Sequence, residues 1–292
     1  MEDFKGLIDW AISQRQSIKL TLQNMTYISN WLTGYHDIRA TSDLAPGLIG
    51  RSVASRDISA VGKALMELVE RITHYYSNCS SLSGCAAHFN AEAASLTAAL
   101  ELIERDAVLV HFTQNEPFHP ENFEILIPII KSADFINKSK LRNIHWNLYR
   151  AESFYSNCCV MICTAKLVER NGTEKIIFGF GAATGINAST DAAAKALLEC
   201  VQNLPILLSE VTYNSVSFNT FLSLKTVKPE HHGFLGLDGE YVKRIKHYFP
   251  TAKRPKFRKE TTKFKLSDFT FHFIGLPGVD PEKPDRSACL SC

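Results

Sequence analysis

Apolar residues recur at helical spacing in several separate stretches of the chain. Phe4, Leu7, Ile8, Ala11 and Ile12 share one face of an amphipathic helix. From Asp57 to about Asn78 a second stripe runs through Ala60, Ala64, Leu65, Leu68 and Ile72, with oxygens at Asp57 and Ser59 placed to cap it. Leu96, Leu100, Ile103 and Val108 mark a third helix, and Thr190 to about Leu208 a fourth, capped by Thr190 or Asp191. Gly239 to Tyr248 also reads as helical, as does Phe123 to Lys131. The clearest strand pattern is Cys158 to Val168, an apolar run rich in β-formers. Asn171-Gly172 then turns the chain, and Lys175 to Gly181 returns, which predicts a hairpin. Ile144 to Tyr149 and Phe269 to Ile274 read as further strands, Thr26 to Leu32 as a strand or short buried segment, and Ser42 to Gly47 as a turn.

Three of these helices are related to one another. Lys63-Ala-Leu-Met-Glu-Leu-Val-Glu-Arg71, Ala98-Ala-Leu-Glu-Leu-Ile-Glu-Arg-Asp-Ala-Val108 and Lys195-Ala-Leu-Leu-Glu-Cys-Val-Gln202 align without gaps. The alignment puts a carboxylate at Glu67, Glu101 and Glu199, and three residues on it puts Glu70, Glu104 and Gln202. Each helix is preceded by small residues: Gly50-Arg51-Ser52, Ser83-Gly84-Cys85-Ala86-Ala87 and Gly179-Phe180-Gly181-Ala182-Ala183. These lead-ins read as small-residue turns that deliver the chain into its helix. Positions i and i+3 lie on one helical face, so each copy presents two oxygen-bearing side chains together. One such helix would be an ordinary solvated face, with ion pairs worth roughly 0.2–0.5 kcal/mol each. Three with matching lead-ins point elsewhere. Carboxylates brought together repel unless a cation joins them, and magnesium, an oxygen-seeking ion, commonly arrives with phosphates.

Composition adds limits. Of 292 residues, 45% are hydrophobic and 21% charged, enough for a sizeable core. The expected architecture is α+β, with antiparallel sheets packed against the helices that carry the Glu-x-x-Glu/Gln motif. A single domain over 1–292 is expected, with a packing segment at 1–46, a core at 48–210, a C-terminal part at 211–278 and a flexible tail at 279–292. Net charge is only +2, and the basic stretch Ala252 to Lys265 reads as a solvated face, so no nucleic-acid partner is expected. The start lacks a signal-peptide pattern, and no apolar run approaches the roughly 20 residues of a membrane span. Eight cysteines then read as reduced thiols of a cytoplasmic protein. Cys158, Cys159 and Cys163 fit a core strand. Cys85 fits small-residue packing beside the second helix, and His88 and His111 fit structural roles. Cys289-x-x-Cys292 lacks the second ligand pair of a zinc site. Gly179-Phe-Gly-Ala-Ala lacks the third glycine and downstream acid of a dinucleotide loop.

The lead-in Ser83-Gly84-Cys85-Ala86-Ala87-His88 with Ala98 to Ala107 resembles the core signature of the YcaO family. The Lys63–Arg71 helix is similar to that family's upstream Glu-x-x-Glu-Arg element, and Glu199-Cys-Val-Gln202 to its Glu-x-x-Gln element. The resemblance runs from about Gly50 to Gln202 and more weakly to about Gly278. It implies an enzyme using ATP and Mg2+ to phosphorylate a peptide amide oxygen after a nucleophile has attacked the carbonyl carbon. A neighbouring Cys, Ser or Thr nucleophile gives an azoline; related members make thioamides. Carried over by residue, Glu67, Glu70, Glu101 and Glu104 become the magnesium ligands. Arg71, Arg105, Gln202 and Glu199 become the ATP and phosphate contacts, guanidinium forks suiting phosphate oxygens. No catalytic residue is assigned. The implied partners are a precursor peptide and a leader-binding or sulfur-delivery protein, with a homodimer, and no membrane. A non-catalytic ATP- or precursor-binding subunit is the alternative from another class. The chain departs from the pattern at Lys63 and Ala64, where many members carry a hydroxyl residue, and in a tail whose prolines are only Pro277, Pro281 and Pro284.

Overall fold

In the computed structural model, which describes residues 4–25, 34–77, 84–126, 144–208, 217–223 and 235–250, helices and antiparallel sheets alternate along the chain. The fold is α+β. The chain divides into two compact units, residues 1–102 with 130–138 and residues 103–129 with 139–292, and the division falls within one long helix between Leu102 and Ile103.

The first unit opens with α1 (Phe4–Ser13), followed by β1 (Thr21–Asn24), β2 (His36–Thr41) and β3 (Ile49–Ala54). The strands form an antiparallel sheet in the order β1-β2-β3, with Arg39 opposite Arg51 and Ala40 opposite Gly50. β2 and β3 join through the expected turn, where Gly47 adopts φ +84°. Helix α2 (Asp57–Ser77) then lies on the sheet. Its stripe of Ala60, Ala64, Leu65 and Leu68 is buried with Ile38, Ala40, Ala11 and Leu20, and Ile72 packs at the margin. Small residues at 60 and 64 bring the helix backbone near the strands. On α1 the predicted face is only partly right: Phe4 and Ala11 are buried, whereas Ile12 is exposed.

Helix α3 (Ala91–Gln114) begins in the first unit and continues into the second. Asn90 caps it, its Oδ1 accepting the N–H groups of Glu92 and Ala93 at 2.7 and 3.2 Å. The buried positions are Ala99, Ile103, Ala107, Val108 and His111, while Leu96 is exposed. Ile103 and Val108 of the expected face are thus buried and Leu100 half-buried, with alanines filling the rest of the buried face.

The second unit holds a four-stranded antiparallel sheet, β4 (His119–Glu121), β5 (Ile144–Ala151), β6 (Cys158–Val168) and β7 (Glu174–Thr184), in chain order. β6 and β7 are the predicted hairpin, with Gly172 at φ +82° in its turn. Helix α4 (Ala188–Gln202) buries Ala192, Ala193, Ala196, Leu197, Cys200 and Val201. Its N-cap position is Asn187, without a side-chain cap bond, so neither Thr190 nor Asp191 serves. The helix stops at Gln202, and a separate turn, α5 (Leu204–Leu207), follows. A second core gathers Ile176, Leu235, Phe218 and Phe221 of α6 (Phe218–Ser223), and Tyr241, Val242 and Ile245 of α7 (Gly239–Ile245).

The sequence expectation for the lead-ins needs correction. Gly50-Arg51-Ser52 lies inside β3 and Gly179 to Ala183 inside β7, so two of the three lead-ins are strands rather than turns. Their glycines answer to packing. A Cβ on Gly50 would stand 2.1 Å from the Ala64 carbonyl oxygen, and one on Gly179 2.1 Å from that of Ala196. Both units thus contain three antiparallel strands and then a helix crossing the last strand at a glycine: β1-β2-β3-α2 and β5-β6-β7-α4. Phe123–Leu126 is a 3-10 turn, and the rest of that predicted helix lies outside the described residues. So do Thr26–Leu32, the basic stretch, the strand predicted at Phe269–Ile274 and the tail with Cys289 and Cys292.

Candidate functional site

The three motif helices are each fastened to their lead-in by the first glutamate of the motif. Glu67 Oε2 accepts the Arg51 backbone N–H at 2.7 Å, Glu101 Oε2 that of Gly84 at 3.1 Å, and Glu199 Oε2 that of Phe180 at 2.6 Å. In the first and third copies the donor immediately follows the glycine at the strand–helix crossing. That crossing meets equivalent atoms in both: the Ala64 oxygen and Leu68 nitrogen at Gly50, the Ala196 oxygen and Cys200 nitrogen at Gly179. In the second copy the described lead-in residues, Gly84 to Ala87, form no strand. There Gly84 takes φ +73°, and its missing Cβ leaves room for Leu102.

In the first unit the motif residues form one electrostatic group. Arg71 donates through Nε and Nη2 to Glu67 Oε1, at 3.1 and 2.6 Å. Glu70, one turn further on, is partly buried. Burial first, then the charges of Glu101 and Glu67, push its carboxyl up to about 7, against a hydrogen bond from the Ala87 backbone and the charge of Arg71. Glu70 is therefore close enough to feel the charges of both Glu101 and Glu67. Carboxylates held in mutual repulsion are the donor set for a hard cation, and magnesium typically takes only one or two of them, with phosphates and water completing its shell. Among the described residues no group of three or more His, Cys, Asp or Glu side chains encloses a metal position unaided. The donor chemistry fits magnesium bound together with a phosphate compound.

Glu104 and Arg105 follow on α3 in the second unit, both half-buried. Glu199 and Gln202 stand on α4 of that unit, Gln202 at its last turn. Asn203 donates to the Phe178 carbonyl at 3.1 Å, which ties the end of α4 to β7. Lys63, four residues before the first glutamate, is exposed. Its counterpart Lys195 donates to the Ala182 carbonyl at 2.8 Å.

Sequence reasoning missed the support beneath the first motif. Arg51 reaches from β3 to Asp37 on β2, a carboxylate with no solvent exposure, through two nitrogens at 2.9 and 2.6 Å. The segment 1–46 therefore does more than fill space. One clue existed: Arg51 follows Gly50 just as Phe180 follows Gly179. Asp106, beside the motif, has its carboxyl raised by burial. His111 is structural, as expected: its Nδ1 donates to the Glu116 carbonyl and its Nε2 accepts the Glu152 N–H at 2.9 Å. Cys163 is buried in β6, and Cys85, Cys158 and Cys159 are half-buried.

Comparisons with known proteins bear on this arrangement. A family model described as YcaO cyclodehydratase, binding ATP and Mg2+, matches residues 73–270. The match begins just after Arg71, so the first motif lies outside it and rests on the repeated geometry. No curated protein matches the chain. Among solved structures, YcaO from Methanopyrus kandleri bound with AMPPCP and Mg2+ is similar at a TM-score of 0.55 and 14% identity, over 84% of this chain and 74% of that one. The E. coli microcin synthetase McbBCD complex is similar at 0.54 and 9%, over 86% and 79%. At these identities the two structures speak for the fold alone.

Proposed function

This chain belongs to the YcaO family of ATP- and Mg2+-binding cyclodehydratases, and we propose that it dehydrates backbone amides of a ribosomally made precursor peptide to azolines. The observation that carries the reading is the acidic group around Glu70: burial first, then the charges of Glu101 and Glu67, raise its carboxyl, and a cation among them would favour its ionised form. ATP and magnesium, when bound, supply the phosphoryl group and much of the charge neutralisation it needs. Of the chain's own residues, we assign Glu67, Glu70, Glu101 and Glu104 to magnesium, and Arg71, Arg105, Gln202 and Glu199 to ATP and its phosphates.

A Cys, Ser or Thr side chain of the substrate attacks the preceding carbonyl carbon, and the resulting oxyanion takes the γ-phosphoryl group of ATP. The amide nitrogen then expels phosphate to form the C=N bond. Peptide plus ATP becomes azoline peptide, ADP and phosphate. The likeness of the fold to a synthetase that works as a complex supports a partner protein that presents the peptide.

Co-expression with any short peptide encoded beside this chain tests the reading by mass. A loss of about 18 mass units per ring, dependent on ATP, is the expected result. A gain of about 16 would assign oxygen-to-sulfur exchange and a sulfur-delivery partner, with the same amide activation. No change with any such peptide would make the chain a binding subunit.

A further inference from the structure

The two units repeat one frame of strands and helix, and at one row of it they differ in kind. The glycine crossings set the correspondence, since Gly50 stands to α2 as Gly179 stands to α4. Arg51 therefore corresponds to Phe180, and their cross-strand partners are Arg39 and Ile162. One strand further out stand Gln23 and Tyr149. In the second unit the row is Tyr149, Ile162 and Phe180, with Tyr149 and Ile162 buried. In the first it is Gln23, Arg39 and Arg51. This row lies on the sheet face away from α2, because Ile38 and Ala40 take the face toward that helix. We propose that Arg39 and Gln23 form a recognition site for the carboxylate of an aspartate or glutamate in a peptide.

Two arginines directly opposite on neighbouring strands repel each other, and such pairs destabilise a sheet. Arg51 is compensated, because Asp37 takes its fork, Nε to Oδ1 at 2.9 Å and Nη2 to Oδ2 at 2.6 Å. Arg39 is not. It has no ion-pair partner among the described residues, and its Nε is buried without a hydrogen bond. A buried donor left unmade destabilises the chain that carries it. Ile162 shows that an apolar side chain serves the frame at this position, so the charge of Arg39 answers to something arriving from outside.

The fork names the class of that ligand. Nε and its neighbouring Nη offer two parallel N–H groups that match the two oxygens of a carboxylate. Arg51 and Asp37 make this pairing one strand away. Two arginines and one aspartate leave a single positive charge, which one carboxylate neutralises and a phosphate dianion overshoots. Gln23, exposed at the margin, adds an amide N–H donor. That the carboxylate comes from a peptide rests on the proposed peptide-modifying function.

The test follows the arginine Nε–H signals in nitrogen-edited NMR spectra of the labelled full chain, without ATP and at fixed ionic strength. The probes are a short peptide of glycine and glutamate, its glutamine counterpart and inorganic phosphate, and the Arg39 signal is identified by its loss in Arg39→Gln. The glutamate peptide should move that signal to saturation, and the glutamine peptide should bind at least about tenfold more weakly. Arg39→Gln should bind the glutamate peptide at least about tenfold more weakly, while its melting temperature holds or rises as the repulsion from Arg51 is relieved. A fall in melting temperature like that of Arg51→Ala would make Arg39 a structural member of the ion network and overturn the proposal. An Arg39 signal that answers phosphate more strongly than the glutamate peptide, or answers neither, overturns it as well. No ATP enters this titration, so failed dehydration of a co-expressed peptide strikes the azoline reading and leaves the carboxylate site standing.

Discussion

Arg51 holds the buried carboxylate of Asp37 by two side-chain nitrogens, at 2.9 and 2.6 Å, while its own backbone N–H is held by Glu67 at 2.7 Å. One residue of β3 thus joins the floor of the first sheet to the first motif glutamate. Replacing it with alanine leaves Asp37 charged in a site with no solvent contact. Breaking a buried pair from one side costs on the order of 3–5 kcal/mol, and the partial exposure of Arg51 favours the lower end. Chemical denaturation of Arg51→Ala should show a loss of about 3 kcal/mol, with Arg51→Lys recovering only part of it, because lysine lacks the fork.

Gly50 and Gly179 are predicted to tolerate no side chain. An added Cβ would meet backbone oxygen at 2.1 Å in each case, and backbone cannot rotate out of the way as a side chain can. Gly50→Ala and Gly179→Ala should each cost about 1–3 kcal/mol or more by overpacking. Gly172→Ala is the control. It has open space around it, so only its φ of +82° is strained, and the cost should be about 1 kcal/mol.

Glu70 makes the first unit sensitive to pH. Its carboxyl titrates at about 7 when folded, against a usual 4.5, so between those values the folded chain holds a proton that the unfolded chain lacks. Stability from this group is complete below about 4.5 and declines as pH rises through 7. Glu70→Gln should remove that decline. Magnesium favours the ionised form, so binding of magnesium and nucleotide near pH 6 should release a proton, which calorimetry in buffers of different ionisation enthalpy would detect.

His111 acts in the opposite sense. Both ring nitrogens are engaged by backbone with the proton on Nδ1, and burial lowers the pKa below the usual histidine value. A group depressed on folding stabilises above its unfolded pKa and loses that contribution as pH falls below about 6.5. The melting temperature of the wild type should fall more steeply in acid than that of His111→Gln.

Periodicity and turn chemistry reveal α2, the β6–β7 hairpin and the three motif helices, because burial in one layer leaves its mark in the spacing of apolar residues. What they do not reveal is long-range. The glycines of the lead-ins look like turn residues, since a glycine needed for a close helix crossing reads the same as one needed for φ. The buried face of α3 runs through alanines, so the larger Leu96 misleads. Thr190 and Asp191 have the chemistry of caps, yet α4 starts earlier. The Glu-x-x-Glu pattern marks the candidate residues in the sequence, but the backbone N–H that each of Glu67, Glu101 and Glu199 meets is not written there. Asp37 is illegible: a lone acid in a packing segment signals nothing until Arg51 stands opposite.

The most direct test of amide activation is stoichiometric. With purified chain, partner and peptide, magnesium and ATP, phosphate released is counted against water lost from the peptide. The account predicts one phosphate for each loss of about 18 mass units, and neither product when ATP is withheld. Dehydration that proceeds without phosphate release would contradict it.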